Sequence, residues 1–149
     1  MGLIMAAEYN FEIEKGSTLY TSFEYRDENN NIINLTNYCA RFSMVSLGDS
    51  PQKYTFVSDV TNNDYSLIIQ PALGKIILQL SSSFTESFNF DFAVYDLDLK
   101  SPNESFPGGG QAITRLLRGS IGIVSRNVID PAPFDCNVSS DPDQCITCE

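Results

Sequence analysis

Residues 11–38 constrain the fold more than any other part of this chain. Phe11 and Ile13, then Leu19, Thr21, Phe23 and Tyr25, fall at alternate positions. A period of two turns one face of a strand inward and the other outward. The run Arg26-Asp27-Glu28-Asn29-Asn30-Asn31 then separates this pattern from Ile32-Ile33-Asn34-Leu35. Asp and Asn tolerate the left-handed backbone that a tight hairpin needs, so the stretch predicts two strands meeting at a turn.

The same grammar recurs downstream. Residues 38–47 predict a strand whose Tyr38, Ala40, Phe42 and Met44 share a face, closed by Gly48-Asp49-Ser50-Pro51. Residues 53–57 and 65–69 predict two more, the second ended by Pro71, which lacks the N–H that a ladder requires. Residues 74–80 predict a buried strand. Ser82 or Ser83 is expected to cap a short helix, with Glu86 three residues after Ser83 in capping-box spacing. Residues 88–99 read as the clearest strand, with Phe88, Phe90 and Phe92 alternating before the parity shifts at Ala93-Val94, where a β-bulge or burial on both faces is expected. Residues 101–110, rich in Pro and Gly, predict a long hairpin loop, and residues 114–125 the closing strand. Some eight strands with short turns and one small helix predict an all-β antiparallel sandwich or open barrel.

The division expected is an N-terminal arm or first edge strand over residues 1–8, a sandwich over 9–128 and an irregular tail over 129–149. A chain of 149 residues is long enough for one domain with a core of its own. Its opening stretch lacks the layout of a signal peptide, and no apolar run approaches the roughly 20 residues of a membrane span.

Chemistry is sparse. The chain has no histidine, which removes the commonest general base and metal ligand. Without it the usual nucleophile–base pairs are missing, no carboxylate pair can be placed from the sequence, and an enzyme is not expected. The net charge of −10 repels phosphate backbones and anionic membranes, so neither nucleic acid nor membrane is an expected partner. Asp91, Asp96 and Asp98 invite an acid–base or calcium reading, but a solvated outer strand face is the expectation. Arg115, Arg118 and Arg126 gather positive charge near the closing strand of an acidic protein. They form a candidate interaction patch, either pairing across strands with Asp96 and Asp98 or meeting an acidic neighbour. Cys136, Cys145 and Cys148 have the spacing C-x8-C-x2-C, open to disulfides, to a metal lacking a fourth nearby ligand, or to free thiols. No other cofactor is expected.

Taken in order, several fragments resemble a family of small β-sandwich modules of tailed-bacteriophage virions, similar to the N-terminal domain of phage upper baseplate proteins. They are Glu14-Lys15-Gly16, Arg26-Asp27, Ile33-Asn34-Leu35-Thr36-Asn37-Tyr38, Gly74-Lys75-Ile76, the Ser/Thr-rich residues 81–85, Tyr95-Asp96-Leu97 and Arg115-Leu116-Leu117-Arg118-Gly119-Ser120-Ile121. The resemblance spans residues 9–128. Asn31 and Asn34 stand where the family has Gly and Asp, and residues 101–110 lengthen one loop. The resemblance implies a virion structural protein assembled in the host cytoplasm, with other virion proteins and copies of itself as partners, near the tail or baseplate. A capsid decoration (cement) or neck protein is the alternative within that class. In a virion the tail cysteines are expected to staple neighbouring subunits. A different class, a host-surface carbohydrate-binding module, would use Tyr38, Tyr54, Tyr65 and Tyr95 as an aromatic platform.

Overall fold

The period-two strands pair into two sheets that bury one apolar layer between them. The computed structural model describes residues 7–58, 60, 62–105, 111–125 and 127, with backbone alone at 103–105 and 111. In chain order the strands are β1 (Ala7–Glu8), β2 (Phe11–Glu14), β3 (Leu19–Glu24), β4 (Cys39–Ser46), β5 (Lys53–Val57), β6 (Tyr65–Gln70), β7 (Lys75–Leu80), β8 (Phe92–Ser105) and β9 (Gln111–Val124). A single helical turn, α1 (Ser82–Glu86), and a 3-10 turn at Pro71–Leu73 complete the set. The larger sheet runs β1-β9-β8-β4-β5, with β2 following β1 along the same edge of β9; the smaller runs β3-β7-β6. This is the all-β sandwich with one short helix that the alternation predicts.

The strand pairs are antiparallel except at the N-terminus, where β1 and β2 lie parallel to β9. Ala7 and Glu8 therefore form an edge strand. Asn10, between the two short strands, keeps the clasp closed: its Oδ1 accepts from the Ser120 N–H at 2.9 Å. Tyr9 donates its N–H to the Arg118 carbonyl at 2.9 Å and accepts the Tyr95 hydroxyl at 2.6 Å.

The Asn-rich turn forms as its residue types require. Asp27 Oδ1 accepts from the N–H groups of Asn29 and Asn31, and Asn30 takes the left-handed conformation at φ 66°. The hairpin is short, however, with Arg26 and Ile32 making a lone bridge. The chain then leaves the sheet, and Leu35 bonds to the Pro71 carbonyl while burying its side chain completely.

Three local expectations are corrected. Ser81, rather than Ser82 or Ser83, caps α1, its Oγ accepting from the Phe84 N–H at 3.2 Å. Residues 88–91 are not strand: β8 starts at Phe92, which faces outward at 59% exposure while Ala93, Tyr95, Leu97 and Leu99 fill the core. Phe88 and Phe90 pack with Tyr54 and Phe84 beneath the sheets' end instead. The parity shift thus marks a strand start. Two register shifts lie further on: Leu116 is extra between the pairs Leu97↔Leu117 and Asp98↔Arg115, and a second shift falls between Lys100 and Ser105. Finally, β8 and β9 extend to Ser105 and from Gln111, so the connection is shorter than the 101–110 loop expected. Replacing Ser81 with Ala is expected to cost about 1 kcal/mol by orphaning the Phe84 N–H; urea denaturation reads this directly.

Aromatic stacking threads the core. Phe42 lies 4.8 Å from Tyr95 and 6.0 Å from Phe56, both near-parallel, and Phe11 meets Tyr95 edge-on at 5.3 Å. Burial, with the neighbouring Tyr9 adding to it, pushes the Tyr95 phenol well above its ordinary pKa of 10; burial also raises Tyr54. The folded state therefore holds these protons where the unfolded chain sheds them. Stability is full below pH ~10 and falls as pH rises beyond it, because the unfolded state there binds fewer protons. Denaturation midpoints measured upward from pH 8 are expected to fall less steeply for Tyr95→Phe than for the parent, with the Tyr54 contribution remaining.

Candidate functional site

Alternation along β5, β4, β8 and β9 sends every second side chain to the outer face of the larger sheet, and registration aligns them in rows. One row reads Lys53, Val45, Val94, Ser120; the next Thr55, Ser43, Asp96, Arg118; the third Val57, Arg41, Asp98, Arg115. Glu8 extends the second row, since β1 places it beside Arg118. Glu12 and Glu14 continue that acidic edge on β2, beside Gly122 and Val124. A shallow trough of about 550 Å³ opens across the middle of the face, with Ser43, Thr55, Val94, Arg118 and Glu8 among its lining.

The third row contains an ionic group in which two arginines share one carboxylate. Asp98 accepts from Arg41 Nη2 at 2.9 Å through one carboxylate oxygen and from Arg115 Nε at 3.0 Å through the other. Asp96 lies 3.7 Å from the same Arg115 nitrogen. The Asp98 bond, followed by the charges of Asp98 and Asp96, holds the Arg115 guanidinium above its usual range against the opposing effect of burial. Asp98 is 4% exposed, which corrects the expectation of a solvated carboxylate: two arginine side chains from the flanking strands lie over it. Those arginines are about half exposed, at 45% and 53% for their side chains. They shield the carboxylate and keep their own charge near water, an arrangement that avoids much of the cost of burying a full ion pair.

Of the three arginines expected to form a patch, Arg115 is thus engaged by Asp98 and Asp96. Arg118 stands opposite Asp96 in register without an ion pair to it, and Arg126 lies outside the described residues. Arg41, Lys53 and Lys100 also belong to the face and were missed. The outward parity of Arg41 and Lys53 was readable from Phe42 and Phe56 turning inward, and that of Lys100 from Leu97 and Leu99, but their gathering on one face depends on strand order. Asp91 sits in the bend before β8, apart from Asp96 and Asp98.

The tyrosine platform does not form. Tyr95 is buried, Tyr54 and Tyr65 pack against Phe84 and Phe56, and Tyr38 is half-buried against the core. Among the described residues no group of three or more His, Cys, Asp or Glu side chains is placed to hold a metal, and no helix is long and apolar enough to cross a membrane. Cys136, Cys145 and Cys148, with the whole 129–149 tail, lie outside the described residues; Cys39 is a free, exposed thiol on β4.

Fold and face together define a β-sandwich whose charged groups are spread over an open sheet surface. No family model matches the chain, and no curated protein matches its sequence.

Proposed function

We propose that this protein is a non-enzymatic structural subunit of a tailed-phage virion, associated with the tail or baseplate and docking in symmetric copies on other virion proteins. One observation carries the reading: its charged and exposed apolar side chains share a broad sheet face, the geometry of a docking surface. The fragments that resemble upper baseplate modules occupy positions where residue type matters to such a scaffold. Gly16 and Gly74 adopt left-handed backbones at φ 82° and 59°, and a Cβ at Gly74 would meet the Ile33 carbonyl at 2.7 Å. Tyr95 and Leu97 lie in the core, and Gly119 admits the N-terminal clasp.

Antibody labelling of purified virions, imaged by electron microscopy with epitope access verified, tests the assignment. Label at the tail tip or the tail–sheath junction is expected. A uniform coat on the head would move the protein to capsid decoration, and a collar of label to the neck. Folded protein is expected to be silent on a glycan array; binding there would favour the host-surface module.

A further inference from the structure

We propose that the outer face of the larger sheet is where a second copy of this chain docks, forming a two-fold pair. The face is amphipathic: Phe92 and Val94 on β8 are exposed at 59% and 40%, beside half-buried Val45. Charges of opposite sign stand at its opposite edges, with Glu8, Glu12 and Glu14 along β1 and β2, and Lys53 on β5 beside the half-exposed Arg41 of the Asp98 group on β4. A two-fold axis lying between the two faces and parallel to the strands exchanges those edges, so the acidic strip of one copy covers the basic strands of the other. That self-complementarity is what an isologous interface requires, because both partners present the same patch.

The smaller sheet lacks it. Its strands carry only Glu24 and Lys75, which already face each other in register. Size places the pair at the lower end of specific interfaces. Four strand spacings of about 4.8 Å by about eight residues of about 3.4 Å make a face on the order of 500 Å² before its side chains are added. The smallest stable interfaces cover roughly 600 Å² per partner.

This pairing rests on the assembly reading only for the reason that copies meet. Sedimentation velocity of the full chain, over a wide concentration range, needs no virion. A dimer from a protein absent from particles would sink the virion reading alone, and a particle-bound protein that stays monomeric would sink this one alone. A reversible monomer–dimer equilibrium is expected. Phe92→Asp is expected to weaken it roughly 30-fold or more, because it sets a charge in place of the face's most exposed aromatic side chain. Glu12→Lys and Lys53→Glu are each expected to weaken it about tenfold, and the double variant to recover most of the loss. Thermal unfolding matching the parent's, measured at a concentration where the parent is monomeric, verifies that these surface variants fold. A monomer at every concentration, or parental dimerisation in Phe92→Asp, would overturn the proposal. So would loss of the dimer when Asp130, Asp135, Asp141 and Asp143 are all replaced by Asn, because the occupant would then be the acidic C-terminal stretch.

Discussion

Phe42→Ala is expected to destabilise the fold by about 3–5 kcal/mol, the usual cost of emptying a buried phenylalanine site. Phe42 has no exposed surface and touches Phe11, Phe23, Phe56 and Tyr95, which belong to both sheets. Those neighbours cannot collapse into the void without moving strands that are fixed by their ladders. Against a total stability of roughly 5–15 kcal/mol this is a large fraction. For a chain of this length it should lower Tm by on the order of 10 °C. Phe92→Ala, on the same sheet but facing outward, serves as the control and is expected to change monomer stability by less than about 0.5 kcal/mol. Thermal and urea denaturation of both variants, at a concentration where the protein is monomeric, separates the two cases. Equal effects would show that the inward face of β4 is misassigned.

Gly119→Ala should come next in size, through backbone instead of cavity. A Cβ there would lie 2.0 Å from the Tyr9 carbonyl oxygen, and backbone cannot rotate away as a side chain does. Either β9 or the segment joining β1 to β2 must shift. The shift also strains the Tyr95 hydroxyl bond to that carbonyl and the Asn10 bond to Ser120. Overpacking together with a compromised hydrogen bond puts the loss at about 2–4 kcal/mol. Gly122→Ala is the matched comparison, since its Cβ would meet nothing closer than the Glu12 side chain at 3.7 Å. Hydrogen exchange locates the effect: the Tyr9 amide, which donates to Arg118, should lose protection in Gly119→Ala and keep it in Gly122→Ala. Retained protection in both would mean that the parallel clasp is not what holds the N-terminus.

These two variants mark the boundary of what the sequence makes legible. The inward parity of Ala40, Phe42 and Met44 follows from local alternation, because each residue's side is set by its neighbours along one strand. Strands β5 and β6 and the place of the α1 turn were readable for the same reason, since turn formers and serines punctuate them locally, although the cap falls on Ser81, ahead of the serines expected. The parallel clasp was not. Nothing in residues 7–14 says that they pair with residues 117–124, over a hundred positions away, because partner choice is a property of the assembled sheet.

Phe88 and Phe90 were misleading because alternation describes a strand only where a ladder exists. Here the same aromatics bury themselves around Phe84 and Tyr54 without one. Asp98 was misjudged by the same logic. Its outward parity is real, yet Arg41 and Arg115 come from different strands and cover it only once β4 and β9 flank β8. The charged outer face was therefore half legible. Arg115 and Arg118 stand out on one strand, while Arg41, Lys53 and Lys100 join them only through the strand order.

The assembly reading depends most directly on whether the protein is a fixed part of the particle. Quantitative mass spectrometry of gradient-purified virions whose genome encodes this chain, with other virion proteins as internal standards, measures that. A constant, symmetry-compatible number of copies per particle, retained through salt washing, is the expected result. Protein found only in the free lysate, or in amounts that fall with each wash, would contradict a structural role.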